Sequence, residues 1–303
     1  MMFMYAETSV HVGGGESVGT IDLAIAREKY TDFPFIPSSG VKGAVRAWFE
    51  SQGTKEDKTY APKLINAVFG SAAGESDDES VSDHAGAAVF TDARILLFPV
   101  RSLKGVFAWV TSPMVLQRLK RDMAMAGKTT DFEIPSVVSG KIAISKESEC
   151  ALKDGNAQKV VLEEYTFEAQ EKDLSSLIAY LEKAFPGTAE YEYWRGKLST
   201  HLLVLSDDDF KEFAKTSTEI QTRIKIDSDT KTVAQGALFY QENLPADSLM
   251  YCVVAAQDGY EIKADGVHKT LHKLQNTRMQ LGGDESVGKG IYCLNFQNGG
   301  AES

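Results

Sequence analysis

The sequence predicts an α+β fold with a ferredoxin-like core, and the order of its segments supports this prediction. Residues 3–12 and 289–296 are rich in β-forming residues, which predicts strands at both ends of the chain. Segments with the apolar spacing of helices lie within 33–53 and 265–283. Without longer insertions the order is strand, helix, strand, strand region, helix, strand. In such a core the first and last strands are sheet neighbours, so we expect the turns at their ends to adjoin.

The helix within 33–53 is the clearest local element. Prolines favour an extended entry, and Ser38 or Ser39 is expected to cap the helix. Gly53 is expected to end it. The predicted buried face consists of four apolar residues at helical spacing: Val41, Val45, Trp48 and Phe49.

The rest of the chain alternates between β-like and helical patterns. The segment 20–30 begins with apolar residues at alternate positions, which predicts an extended start. The other patterns predict a strand or strand pair at 87–100, a helix at 112–127, a strand at 159–170, irregular helices over 173–219, a long hairpin at 222–245 and a central strand at 248–259.

The formal net charge of −11 argues against a nonspecific polyanion binder, which usually carries a basic face. Much of the excess negative charge lies in two short segments, 74–84 and 206–210. The first has the composition of a mobile loop. The charge therefore weakens a nucleic-acid function without excluding it.

Cysteine usage and hydropathy indicate a cytoplasmic protein. The three cysteines, Cys150, Cys252 and Cys293, lack C-x-x-C spacing, so neither a disulfide framework nor a zinc site is expected. No run of 18 apolar residues predicts a membrane span, and the first residues lack the pattern of a secretion signal.

Two glycine-rich stretches at opposite ends of the chain are nearly identical: GGGESVG at 13–19 and GGDESVG at 282–288. Neither matches a Walker A loop or a dinucleotide fingerprint. Exposed amides in such loops can bind anions, so the stretches are either simple turns or a phosphate-contacting surface. The candidate RNA contacts here are Gly14, Gly15, Gly282, Gly283 and Lys289.

The start of the helix within 33–53 offers a second candidate surface. A helix N-terminus carries free amides and a partial positive charge. Ser38 and Ser39 add donors, and Lys42 and Arg46 share one helix face. This set suits a nucleic-acid backbone. The alternative is an ordinary capped helix with solvated charges.

Asp22 lies close in sequence to the first glycine stretch, and His11 ends the first predicted strand. A carboxylate in this position can hold a divalent ion or orient a reacting hydroxyl. The alternative is a turn residue or a surface acid. Tyr240 and Glu242, in the predicted hairpin, are either hairpin surface or neighbours of the site.

Three stretches together resemble the RAMP backbone subunit of type III-B CRISPR effector complexes, the Cmr module. They are residues 9–49, 231–245 and 281–296, and the matching order extends over nearly the whole chain. The first stretch is specific to this family, whereas the C-terminal glycine loop is common to RAMP proteins at large.

The resemblance implies one RAMP domain over 1–303, with an RRM-like palm and helical and β-hairpin insertions. The insertions would lie at about 71–86, the acidic loop, and at about 160–245. Copies of such a subunit stack into a helical filament along a guide RNA. A projecting hairpin, the thumb, wedges into the guide–target duplex, and the 160–245 insertion is the candidate for it.

The resemblance also implies roles for single residues. Asp22 matches the residue that cleaves the target RNA with a divalent metal ion, Mg²⁺ or Mn²⁺. His11 matches the histidine at the end of the first strand. Tyr240 is a further secondary catalytic candidate, from its place in the predicted hairpin and not from the resemblance. The guide-contacting elements match Ser38, Ser39, Lys42, Arg46, Gly282, Gly283 and Lys289.

The expected function is that of an endoribonuclease subunit that binds guide RNA and cuts complementary single-stranded target RNA at regular intervals. Its expected partners are the guide, the target, further copies of itself and other Cmr-module subunits, without a membrane. Two alternatives remain open: a non-catalytic RNA scaffold, and a RAMP nuclease that processes guide precursors.

Overall fold

The computed structural model describes residues 1–15, 21–53, 60–71, 84–226, 229 and 231–297. Their strands are β1 (Met2–Ala6), β2 (Phe35–Ile36), β3 (Ala88–Phe90), β4 (Ala93–Ser102), β5 (Val106–Thr111), β6 (Lys141–Ile144), β7 (Leu152–Asp154), β8 (Ala157–Leu162), β9 (Tyr165–Glu171), β10 (Leu202–Leu205), β11 (Glu219–Ile226), β12 (Val233–Asn243), β13 (Leu249–Cys252), β14 (Val254–Ala256), β15 (Arg278–Gln280) and β16 (Ile291–Phe296). Their helices are α1 (Ser38–Gln52), α2 (Pro62–Phe69), α3 (Pro113–Met125), α4 (Ser175–Glu182), α5 (Glu192–His201), α6 (Asp207–Thr216) and α7 (Ala264–Leu271).

The strands β16, β1, β13 and β4 lie side by side in that order, and each neighbouring pair is antiparallel. Met4 pairs with Leu294 on one side and with Met250 on the other. All five residues of β1 are buried, which explains why this strand shows no alternation of apolar and polar residues. The prediction that the first and last strands are neighbours is confirmed.

A second, barrel-like part of the sheet grows from the far half of β4. The first half of β4 pairs with β13, and Phe98 to Ser102 pair with β5. The strands β4, β5, β10, β6, β9 and β8 then follow one another, and the pairing of Ser102 with Leu162 joins β8 back to β4. The ring is mixed, because β10 is parallel to β5 and β6 is parallel to β9. The fold is therefore a mixed α+β fold.

Several predicted elements differ from the observed ones. The predicted strand 159–170 is two strands, β8 and β9, because the chain turns at Glu163, whose φ is 48°. The helical prediction for 173–219 missed β10, whose four apolar residues are too few to distinguish a strand from a buried helix. The predicted central strand 248–259 is split into β13 and β14, which pair in different sheets.

Two predictions about helices are also corrected. The helix predicted over 265–283 ends at Leu271, and β15 follows because it pairs with β16. The cap of α1 is neither Ser38 nor Ser39: Pro37 takes the cap position, and the Asp92 carboxylate accepts the Ser38 amide at 2.7 Å. The predicted buried face of this helix is largely confirmed, since Trp48 alone of its four residues is only partly buried.

The predicted long hairpin is confirmed as β11 and β12, which form a two-stranded sheet of their own. One face of this hairpin exposes apolar side chains, at Ile220, Ile224, Leu238 and Tyr240. The opposite face contacts the loop 281–290, through Gln221 and Gln241 among others. The hairpin therefore has one packed face and one open apolar face.

Two predicted features fall mainly outside the described residues. They are the acidic segment 74–84, described only at His84, and positions 16–19 of the first glycine stretch. Among the helices described here, none is both long and apolar enough to cross a membrane.

His201 provides a pH-dependent contribution to stability. It is fully buried at the junction of α5 and β10, with Nε2 3.0 Å from the Gly105 carbonyl. Burial lowers the pKa of His201 below its ordinary value of 6.5, and the nearby Lys197 ammonium lowers it further. The unfolded chain therefore takes up this proton at higher pH than the folded chain does.

We expect the free energy of unfolding to fall as pH decreases below about 6.5, until the folded pKa of His201 is passed. Denaturant titrations at several pH values measure this slope. His201→Gln should flatten the slope, whereas replacement of the exposed His268 by Gln should leave it unchanged. Equal slopes in wild type and His201→Gln would contradict the assignment.

Candidate functional site

One edge of β12, between Tyr240 and Glu242, collects the predicted catalytic residues. The Asp22 Oδ2 accepts the Tyr240 amide at 2.8 Å. Leu23 pairs with this edge, donating its amide to the Tyr240 carbonyl and accepting the Glu242 amide. The His11 ring lies 2.7 Å from the Glu242 carbonyl through Nδ1. Residues that are far apart in sequence therefore meet over three positions of one strand.

The His11 contact fixes the tautomer of the neutral ring. A carbonyl oxygen only accepts hydrogen bonds, so Nδ1 carries the proton that it donates to Glu242. In neutral His11 the Nε2 atom then holds a free lone pair. This nitrogen can accept a proton or a hydrogen bond from a bound molecule.

Asp22 is exposed, and within the described residues no hydrogen bond reaches its second carboxylate oxygen, Oδ1, which can therefore bind another molecule. A divalent cation at Asp22 would need further ligands from RNA phosphate and water, because no three His, Cys, Asp or Glu side chains in the described part of the chain surround a common position. Mg²⁺ is commonly held by one or two carboxylates together with substrate phosphates, and a single hard oxygen donor fits that mode.

A buried ion pair that the sequence did not predict supports this edge. The Glu242 side chain is 3% exposed and pairs with the Arg27 guanidinium at 2.5 Å. Glu242 also accepts the Thr218 hydroxyl at 2.7 Å and the Ile25 amide at 3.0 Å. Local sequence patterns gave no signal for this pair, because Leu23, on the same alternate positions as Arg27, is exposed and Glu242 is 215 residues from Arg27.

The C-terminal glycine loop contacts the end of the first strand region. The Gly283 amide donates to the His11 carbonyl at 2.8 Å, and the Gly290 amide donates to the Ser9 carbonyl at 2.9 Å. Gly282 has a φ of 98°, and a Cβ at this position would lie 2.5 Å from the His11 carbonyl oxygen. The C-terminal glycine loop therefore lies against residues 9–12, directly before the first glycine stretch.

The N-terminal glycine stretch runs beside the segment that carries Asp22. The Gly14 amide donates to the Ala24 carbonyl at 3.0 Å, and Gly13 pairs with Ile25. Gly14 and Gly15 are exposed, as are Gly282 and Gly283. These glycines present backbone close to His11 and Asp22, where a nucleic-acid backbone could approach.

Asp284 and Lys289 join the C-terminal glycine loop to the hairpin. Asp284 accepts hydrogen bonds from Arg223 at 3.0 Å and from Gln241. Burial acts to raise the pKa of Asp284, but these two donors, with His11 nearby, lower it overall. The Lys289 ammonium is buried and donates to Gln221 at 2.8 Å. A direct contact between Lys289 and RNA stays a prediction, and its ammonium already has a protein acceptor.

The basic residues of α1 form a separate group. Burial, and then the neighbouring Arg46, lower the pKa of Lys42. Arg46 binds the Gly70 carbonyl at 2.7 Å and Asn66 at 2.9 Å, so it links α1 to α2. Ser38 is partly buried and Ser39 is exposed. Among the described residues, no hydrogen bond joins this group to Asp22.

Comparisons with known proteins identify the family of this chain. The profile of the RAMP superfamily matches residues 3–293. The CRISPR system Cmr endoribonuclease Cmr4 of Pyrococcus furiosus is 36% identical over 310 residues, which cover 99% of this chain and 97% of that protein. The CRISPR system CMR subunit Cmr4 of Saccharolobus solfataricus is 28% identical over 313 residues, covering 98% and 96%.

Among solved structures, the crystal structure of oligomeric Cmr4 from Pyrococcus furiosus superposes with a TM-score of 0.72 at 29% identity. The match covers 97% of this chain and 96% of that one. Sequence and fold therefore agree over nearly the whole length of both chains. The chain belongs to the RAMP superfamily, among the Cmr4 backbone subunits of type III-B CRISPR systems.

Proposed function

We propose that this chain is a guide-RNA-binding filament subunit of a type III-B CRISPR effector complex in the cytoplasm, and that it cleaves complementary target RNA at regular intervals. The convergence of Asp22, His11 and exposed glycine backbone on one edge of β12 carries this proposal. The endoribonuclease name of the Pyrococcus relative supports the activity. The oligomeric state of the superposed structure supports the filament.

The chemistry needs few protein groups, because RNA supplies its own nucleophile in the 2′-hydroxyl next to the scissile phosphate. The protein has to hold the backbone so that attack is in line, and then stabilise the developing charge. Asp22 would orient the hydroxyl or a bound cation through its free Oδ1. His11 would accept a hydrogen bond at Nε2.

We also propose Mg²⁺ or Mn²⁺ as the cofactor, held jointly by Asp22 and the RNA. When bound, such an ion neutralises charge on the phosphate. Asp22 alone is a weak ligand, so metal and target RNA should bind together. Measuring the cleavage rate as a function of metal concentration, in wild type and in Asp22→Ala, tests this point.

The hairpin β11–β12 is proposed as the thumb, and the strands around β1 as a ferredoxin-like, RRM-like palm within a single domain. The order β16–β1–β13–β4, with helices α1 and α7 in the connections, supports the palm. The exposed apolar face of the hairpin, with Ile220, Ile224 and Leu238, suits packing against unstacked bases. Tyr240 is exposed on the same face, and its backbone amide binds Asp22; its secondary catalytic role stays a proposal.

The experiment that tests the function is a cleavage assay of the chain assembled with guide RNA and the other complex subunits. End-labelled target complementary to the guide should be cut at evenly spaced positions in the presence of a divalent cation. A scaffold without catalysis would bind the same target and leave it intact. A precursor-processing nuclease would cut repeat RNA as an isolated subunit.

Lys42 is expected to contribute to binding of the guide backbone. Lys42→Met should weaken guide affinity, and the slope of log affinity against log salt should fall by about one unit, because one phosphate contact is lost. Fluorescence anisotropy at several salt concentrations measures both quantities. Lys63→Met on α2, which removes an exposed lysine paired with Glu261, is the control and should leave the slope unchanged. An unaltered slope in Lys42→Met would contradict the assignment.

A further inference from the structure

Arg27 occupies the centre of a contact network between the segment that carries Asp22 and two other elements. Its Nη1 donates to the carbonyls of Asp32 at 2.7 Å and Ala214 at 2.8 Å. Its Nη2 donates to Glu242 Oε1 at 2.5 Å. Ala214 lies in the last turn of α6, where carbonyls lack partners within the helix. Arg27 therefore joins the end of α6 to the base of β12.

We propose that Arg27 is a positioning residue for RNA cleavage: its pairing with Glu242 holds the segment that carries Asp22 in register with β12. The inference rests on the proposed function, because it assigns Arg27 a role in the reaction of Asp22. Arg27 is not proposed to touch RNA.

Glu242 needs Arg27 to remain charged where it is. The Glu242 side chain is 3% exposed, and Arg27 is the cation that pairs with it. A buried carboxylate without a cation either takes up a proton or moves to solvent. Either response would weaken the bond that Glu242 Oε2 accepts from the Ile25 amide.

The path from Glu242 to Asp22 consists of consecutive hydrogen bonds. Ile25 is held by the Glu242 side chain, and Leu23 is held by the backbone of Tyr240 and Glu242. Asp22 then accepts the Tyr240 amide. A shift of 21–25 along β12 would therefore displace the Asp22 carboxylate together with its free oxygen. Misplacement of a reacting group by about 1 Å can cost about 100-fold in rate.

A second arginine offers a matched control. Arg118 pairs with Glu28 at 2.9 Å, and both side chains are largely buried, at 11% and 13% exposed. Arg94 lies 3.9 Å from the same carboxylate. Arg118 also lies over the rings of Tyr30 and Phe33. This pair anchors α3 to the chain just after Arg27, and it makes no hydrogen bond to β12 in the described part of the chain.

The test compares Arg27→Met, Arg27→Lys and Arg118→Met in the assembled complex with guide RNA. Four quantities are measured: the single-turnover cleavage rate at saturating target, the target Kd, the guide Kd and the thermal denaturation midpoint. Arg27→Met should lower the rate about 100-fold, with both Kd values within about twofold of wild type. Arg27→Lys should recover about a tenth of the wild-type rate, since a lysine can pair with Glu242 but makes fewer of the carbonyl contacts.

Arg118→Met should lower the denaturation midpoint about as much as Arg27→Met does. Its cleavage rate should stay within about threefold of wild type. Cleavage by Arg27→Met at the wild-type rate would overturn the proposal. So would an equal loss of rate in Arg118→Met, since the effect would then be general destabilisation. If Arg27→Met fails to assemble, the cleavage rates of Arg27→Lys and Arg118→Lys are compared instead. Equal cleavage rates in these two variants would overturn the proposal.

Asp22→Ala is run in parallel to separate this inference from the proposed function. Cleavage of target RNA by the Asp22→Ala complex would contradict the proposed function itself. If the Asp22→Ala complex is inactive and the Arg27→Met complex is fully active, only the positioning role of Arg27 is contradicted.

Discussion

Replacing Asp22 with alanine is expected to abolish the regularly spaced cleavage of target RNA, with guide and target binding unchanged. The Asp22 carboxylate is exposed at the edge of β12, and one of its oxygens is bound by the Tyr240 amide. Its loss removes both the charge and the free oxygen. Groups that transfer protons or position reacting atoms typically contribute 100-fold or more, so the rate should fall by at least about 100-fold. Single-turnover cleavage of end-labelled target in the assembled complex measures this.

Two further variants make the Asp22 experiment specific. Asp22→Asn retains an oxygen that can accept the Tyr240 amide but loses the charge, so it should be nearly as inactive as Asp22→Ala. Asp258→Asn replaces another exposed carboxylate, one paired with Lys263, and should cut at the wild-type rate. Evenly spaced cuts at the wild-type rate in Asp22→Ala would show that another group performs the reaction.

Replacing Gly282 with alanine is expected to cause a larger loss of stability than the same change at Gly288. Gly282 has a φ of 98°, and an added Cβ would lie 2.5 Å from the His11 carbonyl oxygen. The unfavourable φ costs about 1–2 kcal/mol, and the contact with backbone adds strain, so we expect a loss of about 2–4 kcal/mol. His11 should move as a result, which also lowers guide binding and cleavage.

Gly288→Ala is the matched control for this variant. Gly288 also has a positive φ, 78°, but a Cβ there meets nothing within 4 Å. Only the conformational cost of about 1 kcal/mol is expected. Equilibrium unfolding in urea compares the two proteins. Equal stability of the two variants would show that the close approach of Gly282 to His11 is unimportant.

The sequence named the candidate site residues but not the ion pair that holds them. Asp22 and His11 were named by family resemblance and Tyr240 by its place in the predicted hairpin, and the first two contact the backbone of β12. Arg27 was not identified, because its partner Glu242 is 215 residues away and local patterns do not identify such pairs. Lys289 was expected at the RNA surface. Its neighbours on the hairpin instead enclose its ammonium, which a periodicity argument does not predict.

The fold also consists of a part that the sequence predicted and a part that it did not. The strand order of the core followed from local patterns, because β1, β13 and β16 are buried runs bounded by turns. The barrel-like ring of β4, β5, β10, β6, β9 and β8 did not, since pairings between distant segments close it and β10 looked helical in isolation.

The sequence by itself determined the α+β class and the adjacency of the first and last strands. It also named Asp22 and the glycines of the two stretches as candidates for an RNA site. Only the tertiary structure decided which backbone edge receives Asp22, which charges are buried and which helix end Asp92 caps. The physical reason is that apolar periodicity is a local property of the chain. Hydrogen bonds and ion pairs between distant residues depend on the register of packed strands, which is set only when the sheet forms.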